Sequence, residues 1–153
     1  MLSINKRLLR THDGVQMRKY LPTLAELIDR LGIVTLKSIK LNNKEEYEKE
    51  ASDIMHDLHE IMKKQTVSDW GKLIRAIQIG MLANETIWQN ETLARKEGNK
   101  QSELLPFTHS VNGIRMRAGN EIVNQAGGRK DLNLDRVDDV ISAKHGYNWE
   151  GLF

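Results

Sequence analysis

Apolar residues recur along most of this chain at steps of three and four, the spacing of one face of an α-helix. Leu24, Leu27, Ile28, Leu31 and Val34 form one such stripe. It opens at Thr23-Leu24-Ala25-Glu26, a Ser/Thr-x-x-Glu capping box with Thr23 as N-cap, and closes near Leu41 at the Asn42-Asn43 turn. Tyr47, Ala51, Ile54, Leu58 and Ile61 make a heptad-like seam for a second helix over about 44–64, packed antiparallel on the first. A third helix, capped by Ser68 and running from Asp69 to Lys96, would be about 42 Å long at 1.5 Å per residue. Its stripe is Trp70, Leu73, Ile74, Ile77, Met81 and Trp88, and Asn84, Glu91 and Arg95 continue that face in polar residues. A helix that turns polar where burial should continue is a site candidate.

Residues 98–102 read as a connector, and a fourth helix is predicted to start between Pro106 and Ser110 and to stop at Gly127-Gly128. Val111, Ile114, Ala118 and Ile122 line its apolar side. Gly113 and Gly119 inside it each cost about 1 kcal/mol relative to alanine, so each asks for a reason such as a close backbone approach. Asp135 is placed to cap a short helix carrying Val137, Val140 and Ile141, with Gly146 as its stop. The prediction is an all-α single domain: a basic N-terminal arm or short helix over 1–22, a bundle of four long helices over 23–128, and a short helix plus aromatic tail over 129–153.

Composition narrows the function classes. The 153 residues suit one core, and the absence of cysteine excludes disulfides, thiol chemistry and Cys-based metal sites. No apolar h-region opens the chain and no run approaches a membrane span, so a cytoplasmic protein is expected. The net charge of +2 is unevenly spread: residues 1–43 and 70–130 are basic, 44–69 and 131–153 acidic. This is not the continuous basic stripe of a duplex-DNA binder, although a local anion pocket fits it. The acidic face of the second helix, Glu45 to Glu60 with Asp53 and Asp57, reads as solvated, with pairing such as Glu60 to Lys64. His56, His59 and Glu60 lack the H-E-x-x-H order of a zinc helix and read as surface residues.

Two constellations carry chemistry. In the first, His109, Asn112, Arg115 and Arg117 join Lys37 or Lys40, Asn84, Trp88 and Arg95. Guanidinium forks suit phosphate oxygens and an indole offers a stacking plane, which is what a nucleotide or nucleotide-sugar held between helices requires. In the second, Glu26 and Asp29, with Glu85 or Glu91 from the third helix, project carboxylates that suit Mg²⁺ in a nucleotide hydrolase, Glu91 being preferred. The E-x-x-D spacing recurs in all-helical nucleotide pyrophosphohydrolases, but their preceding E-E-x-x-E run is not matched. The tail, Tyr147 to Phe153, holds three of the eight aromatics and reads as a strap that closes the core of the bundle, with an interaction or oligomer contact or a lid as the alternative.

The run from Glu26 to Lys37, then Asn84 with Ile87 to Glu91 and Arg95, then Val111 to Arg115, resembles an uncharacterised helical family of bacteria and their phages. Its pattern is E-L-I-D-[KR]-L-x-I-x-x-L-K, followed by N-x-x-[IL]-W-x-x-E-x-x-x-R and N-x-x-R. The resemblance implies a site built from Glu26, Asp29, Lys37, Asn84, Trp88, Glu91, Arg95, Asn112 and Arg115 without naming its ligand. It also fits a phage origin; a phage-encoded nucleotide binder in the host cytoplasm would be expected to sequester a host immune signalling nucleotide.

Overall fold

A computed structural model describes residues 9–11, 14–16, 21–98 and 101–153. Helices carry the architecture: α1 (Leu24–Lys40), α2 (Lys44–Met62), α3 (Trp70–Lys96), α4 (Gln101–Ala126) and α5 (Asp139–Lys144). Ahead of them, β1 (Leu9–Thr11) and β2 (Gly14–Gln16) pair antiparallel with Leu9 opposite Gln16, where the sequence suggested an arm or short helix. The rest of the predicted N-terminal arm, residues 1–8, 12–13 and 17–20, lies outside the described residues. Among the described residues no helix is long and apolar enough to cross a membrane.

The chain forms two compact units, one through Thr66 and one from Val67. In the first, α1 begins as predicted: the Thr23 hydroxyl accepts from the Glu26 N–H at 3.3 Å, and the Glu26 carboxylate accepts from the Thr23 N–H at 2.5 Å. Leu27, Val34, Ala51 and Ile54 make the core, flanked by Leu31, Tyr47, Leu58 and Ile61. Arg30 pairs with Glu50 at 2.6 Å, and the Lys37 ammonium stands 5.8 Å from the Tyr47 ring centroid, so α1 and α2 run antiparallel. Asp57 is buried rather than solvated, because it lies three residues after Ile54 and four before Ile61 and so shares their seam. Glu60 pairs with Lys63, not Lys64, at 2.9 Å.

In the second unit the N-cap is Asp69, one residue later than predicted, its side chain accepting from the Lys72 N–H at 3.0 Å. The face that α3 presents to α4 is not the stripe of large residues. Trp70 is 58% and Ile74 51% exposed, whereas Leu73, Ala76 and Ala83 are buried. Small residues draw the helices together: a Cβ built on Gly80 would stand 3.6 Å from the Ala118 Cβ. That contact and the Asn90 to Thr108 hydrogen bond at 3.2 Å set one antiparallel register, with paired positions about equidistant from the connector. α4 begins at Gln101, earlier than predicted, and carries Pro106 inside it. Proline removes one backbone donor there, and burial of Leu104 and Phe107 on either side holds the turn. Phe107, Val111, Ile114, Ala83 and Trp149 form the core, with Ile79, Ile87, Val137, Ile141, Tyr147 and Leu152 against it.

Candidate functional site

Two flanks of the α3–α4 hairpin divide the residues singled out by the sequence. One flank is covered by the C-terminal segment, which a stripe on α4 at helical steps, Ser110, Gly113, Arg117 and Asn120, holds in place. The Asn120 amide accepts from the Asp131 N–H at 2.8 Å and donates to the Asp131 carbonyl at 3.0 Å. Arg117 Nη1 donates to the carbonyls of Asp135 and of Gly113, both at 2.9 Å. The Ser110 hydroxyl accepts from the Asp138 N–H at 2.8 Å and lies 2.9 Å from the Ser142 hydroxyl, both side chains being fully buried. Gly113 has its explanation here: a Cβ on it would meet the Asp135 carbonyl oxygen at 2.4 Å.

Asp135 therefore anchors the segment rather than capping α5. The cap is Asp138, whose carboxylate accepts from the Ile141 N–H at 3.0 Å. The Asp135 carboxylate instead accepts from Asn112 Nδ2 at 2.7 Å, and His109 Nδ1 stands 3.8 Å from the same oxygen. An aromatic ladder continues the attachment. Phe107 stacks on His145 with centroids 4.2 Å apart, and Tyr147 stacks on Trp149 at 5.0 Å, each such pair contributing about 0.5–1.5 kcal/mol beyond its buried area. The Tyr147 hydroxyl reaches Thr86 on α3 at 3.3 Å, and Trp149 faces inward at 6% exposure. Of the proposed phosphate ligands, His109, Asn112 and Arg117 thus face the chain's own C-terminal segment, where Asn112 and Arg117 hydrogen-bond to it.

The other flank holds the remaining candidates of α3 and α4. At 100° per residue, Asn84, Trp88 and Glu91 lie on the side of α3 turned away from Thr86, and Arg115 lies on the side of α4 turned away from Gly113 and Arg117. The hairpin register places Asn84 level with Ile114 and Arg115. Asn84 is buried at 6% exposure, and Trp88 and Arg115 are half-buried. Arg95, two turns beyond Trp88, is engaged with Glu91: its Nε donates to the Glu91 carbonyl at 3.2 Å and its Nη2 stands 3.6 Å from the carboxylate. Lys37 and the carboxylates Glu26 and Asp29 belong to the other unit, on α1.

Among the described residues no group of three His, Asp or Glu side chains is placed to hold a metal ion. Glu26 closes the capping box, Glu91 faces Arg95 and Asp29 also has an interaction partner, so all three carboxylates proposed for Mg²⁺ are engaged within the chain. Glu60 is held below the ordinary glutamate range by its hydrogen bond to Lys63 and by that ammonium's charge, with small contributions from His56 and His59. No family model, curated protein or solved structure matches the chain, so the resemblance to a bacterial and phage family stands on its motifs alone.

Proposed function

We propose that this is a small ligand-binding protein that holds a nucleotide-type anion, a nucleotide or nucleotide-sugar, on the α3–α4 flank built from Asn84, Trp88 and Arg115. The observation that carries this reading is the register: a buried amide and a half-buried guanidinium at one level of the hairpin, with an indole one turn further along α3. In the proposed complex the Arg115 fork binds phosphate oxygens, the Asn84 amide hydrogen-bonds a base or sugar edge, and Trp88 stacks on the base. Arg95 contributes its exposed guanidinium when it leaves Glu91, an exposed ion pair of small worth. Binding is favoured over hydrolysis because Glu26 serves the capping box and, among the described residues, no three His, Asp or Glu side chains are grouped to hold a metal ion. In a phage-infected host such a protein would act by sequestering a signalling nucleotide.

Titration with a panel of nucleoside phosphates, cyclic dinucleotides and nucleotide-sugars, read by calorimetry and by tryptophan fluorescence, tests this. One member should bind saturably, and Arg115→Ala should weaken it about tenfold or more, the worth of a hydrogen bond to a charged group. Arg136→Ala, at an exposed position remote from the flank in sequence, should leave it unchanged. A folded protein that binds no member of the panel contradicts the proposal.

A further inference from the structure

The groove that receives the C-terminal segment reads mostly main chain. Asn120 pairs with both backbone groups of Asp131, Arg117 binds the Asp135 carbonyl, and Ser110 accepts the Asp138 N–H. Gly113 lets that backbone come closer than any side chain would allow. What the segment adds is apolar: Val137, Ile141, Tyr147, Trp149 and Leu152 complete the core around Phe107 and Val111. Removal would uncover a large apolar face, so the groove stays filled.

The tether is a different matter. Between the end of α4 and the first anchor at Asp131 the chain turns at Gly127 and Gly128, with φ of 85° and 125°, and residues 127–133 are exposed. An α4 that ran on through these two glycines would carry the segment away from its own groove without changing any anchor.

We infer that the C-terminal segment, residues 129–153, can exchange between two copies of this chain, each groove binding the other copy's segment and giving a strap-swapped dimer. Every contact made in the closed monomer is remade in the dimer, and only the Gly127-Gly128 hinge differs, the condition under which domain swapping costs little. The partner is therefore a second copy of this chain. Alanine at both glycines, which disfavours the left-handed turn and favours continued helix, should raise the dimer fraction about tenfold or more.

The chain has no cysteine, which permits a direct test on full-length protein. Ser110→Cys and Ser142→Cys chains are mixed, unfolded and refolded together at high concentration, then oxidised, and the products are resolved on non-reducing gels and by mass spectrometry. Exchange predicts a covalent dimer joined between position 110 of one chain and 142 of the other, more abundant when both chains carry Gly127→Ala and Gly128→Ala. The doubly substituted chain, which places both thiols where the hydroxyls stand 2.9 Å apart, should close its disulfide within the monomer. Closure there without any cross-linked dimer in the mixture, with either hinge, overturns the exchange. Failure to close within the monomer overturns the docking on which it rests.

Discussion

Replacing Gly113 by alanine separates packing from propensity. In an ordinary helix interior this change stabilises by about 1 kcal/mol. Here the new Cβ meets a backbone oxygen at 2.4 Å, well inside contact distance, and the Asp135 carbon at 3.1 Å. Neither atom can swing away alone, so the segment around Asp135 must retreat. That retreat breaks the Arg117 hydrogen bond to the Asp135 carbonyl and the Asn112 hydrogen bond to its carboxylate. The first has a charged donor and the second a charged acceptor, so at about 1.5–3 kcal/mol each the loss is roughly 3–6 kcal/mol. After the helix gain the net cost is about 2–5 kcal/mol. Gly119, in the same helix with nothing within 4 Å of its virtual Cβ, is the control, and alanine there should stabilise by up to about 1 kcal/mol. All three tryptophans, Trp70, Trp88 and Trp149, lie in the unit from Val67 onward, so urea unfolding followed by tryptophan fluorescence reads that unit. Equal stabilisation by Gly113→Ala and Gly119→Ala would refute the packing of the segment against α4.

Other outcomes follow from the same contacts. Ser110→Ala leaves the Asp138 N–H and the buried Ser142 hydroxyl without their partner and should cost about 1–3 kcal/mol in the same assay, whereas alanine at exposed Ser102 should be silent. Trp149→Ala should cost about 3–5 kcal/mol, and Trp149→Phe much less, because the Trp149 indole N–H is buried without an acceptor among the described residues and phenylalanine removes that cost. The Glu60 carboxyl should titrate below an ordinary glutamate by NMR, and Lys63→Ala should move it upward. Since its folded value lies below the unfolded one, whatever stability Glu60 contributes is present above the unfolded value and is lost as pH falls through the folded one. No shift on Lys63→Ala would show that the pair does not persist in solution.

Much of the fold was legible where one physical cause dominates. The Thr23 to Glu26 box and the seam from Tyr47 to Ile61 are local signals, and both are realised. The α3 face was misread because periodicity weights large side chains, while close helix approach selects small ones such as Gly80, Ala83 and Ala118. In the candidate site, an α4 stripe of Ser, Gly, Arg and Asn looks the same from sequence whether it binds a ligand or the chain's own backbone. The positions of Asp131, Asp135 and Asp138 decide that, through contacts 11 to 28 residues away along the chain. Two sequence signals point to that segment: the aromatic tail, read as a strap over the bundle, and the demand that Gly113 have a neighbour, which is the Asp135 backbone.

Native mass spectrometry of the chain purified from cells tests the proposed nucleotide-type anion site of Asn84, Trp88 and Arg115 without assuming which ligand fills it. The spectrum should show an adduct with the mass of a phosphate-bearing nucleotide or nucleotide-sugar, retained under gentle ionisation and lost in Arg115→Ala protein that is otherwise folded. A spectrum of bare polypeptide that stays bare after millimolar addition of each member of the nucleotide panel would contradict the proposed site.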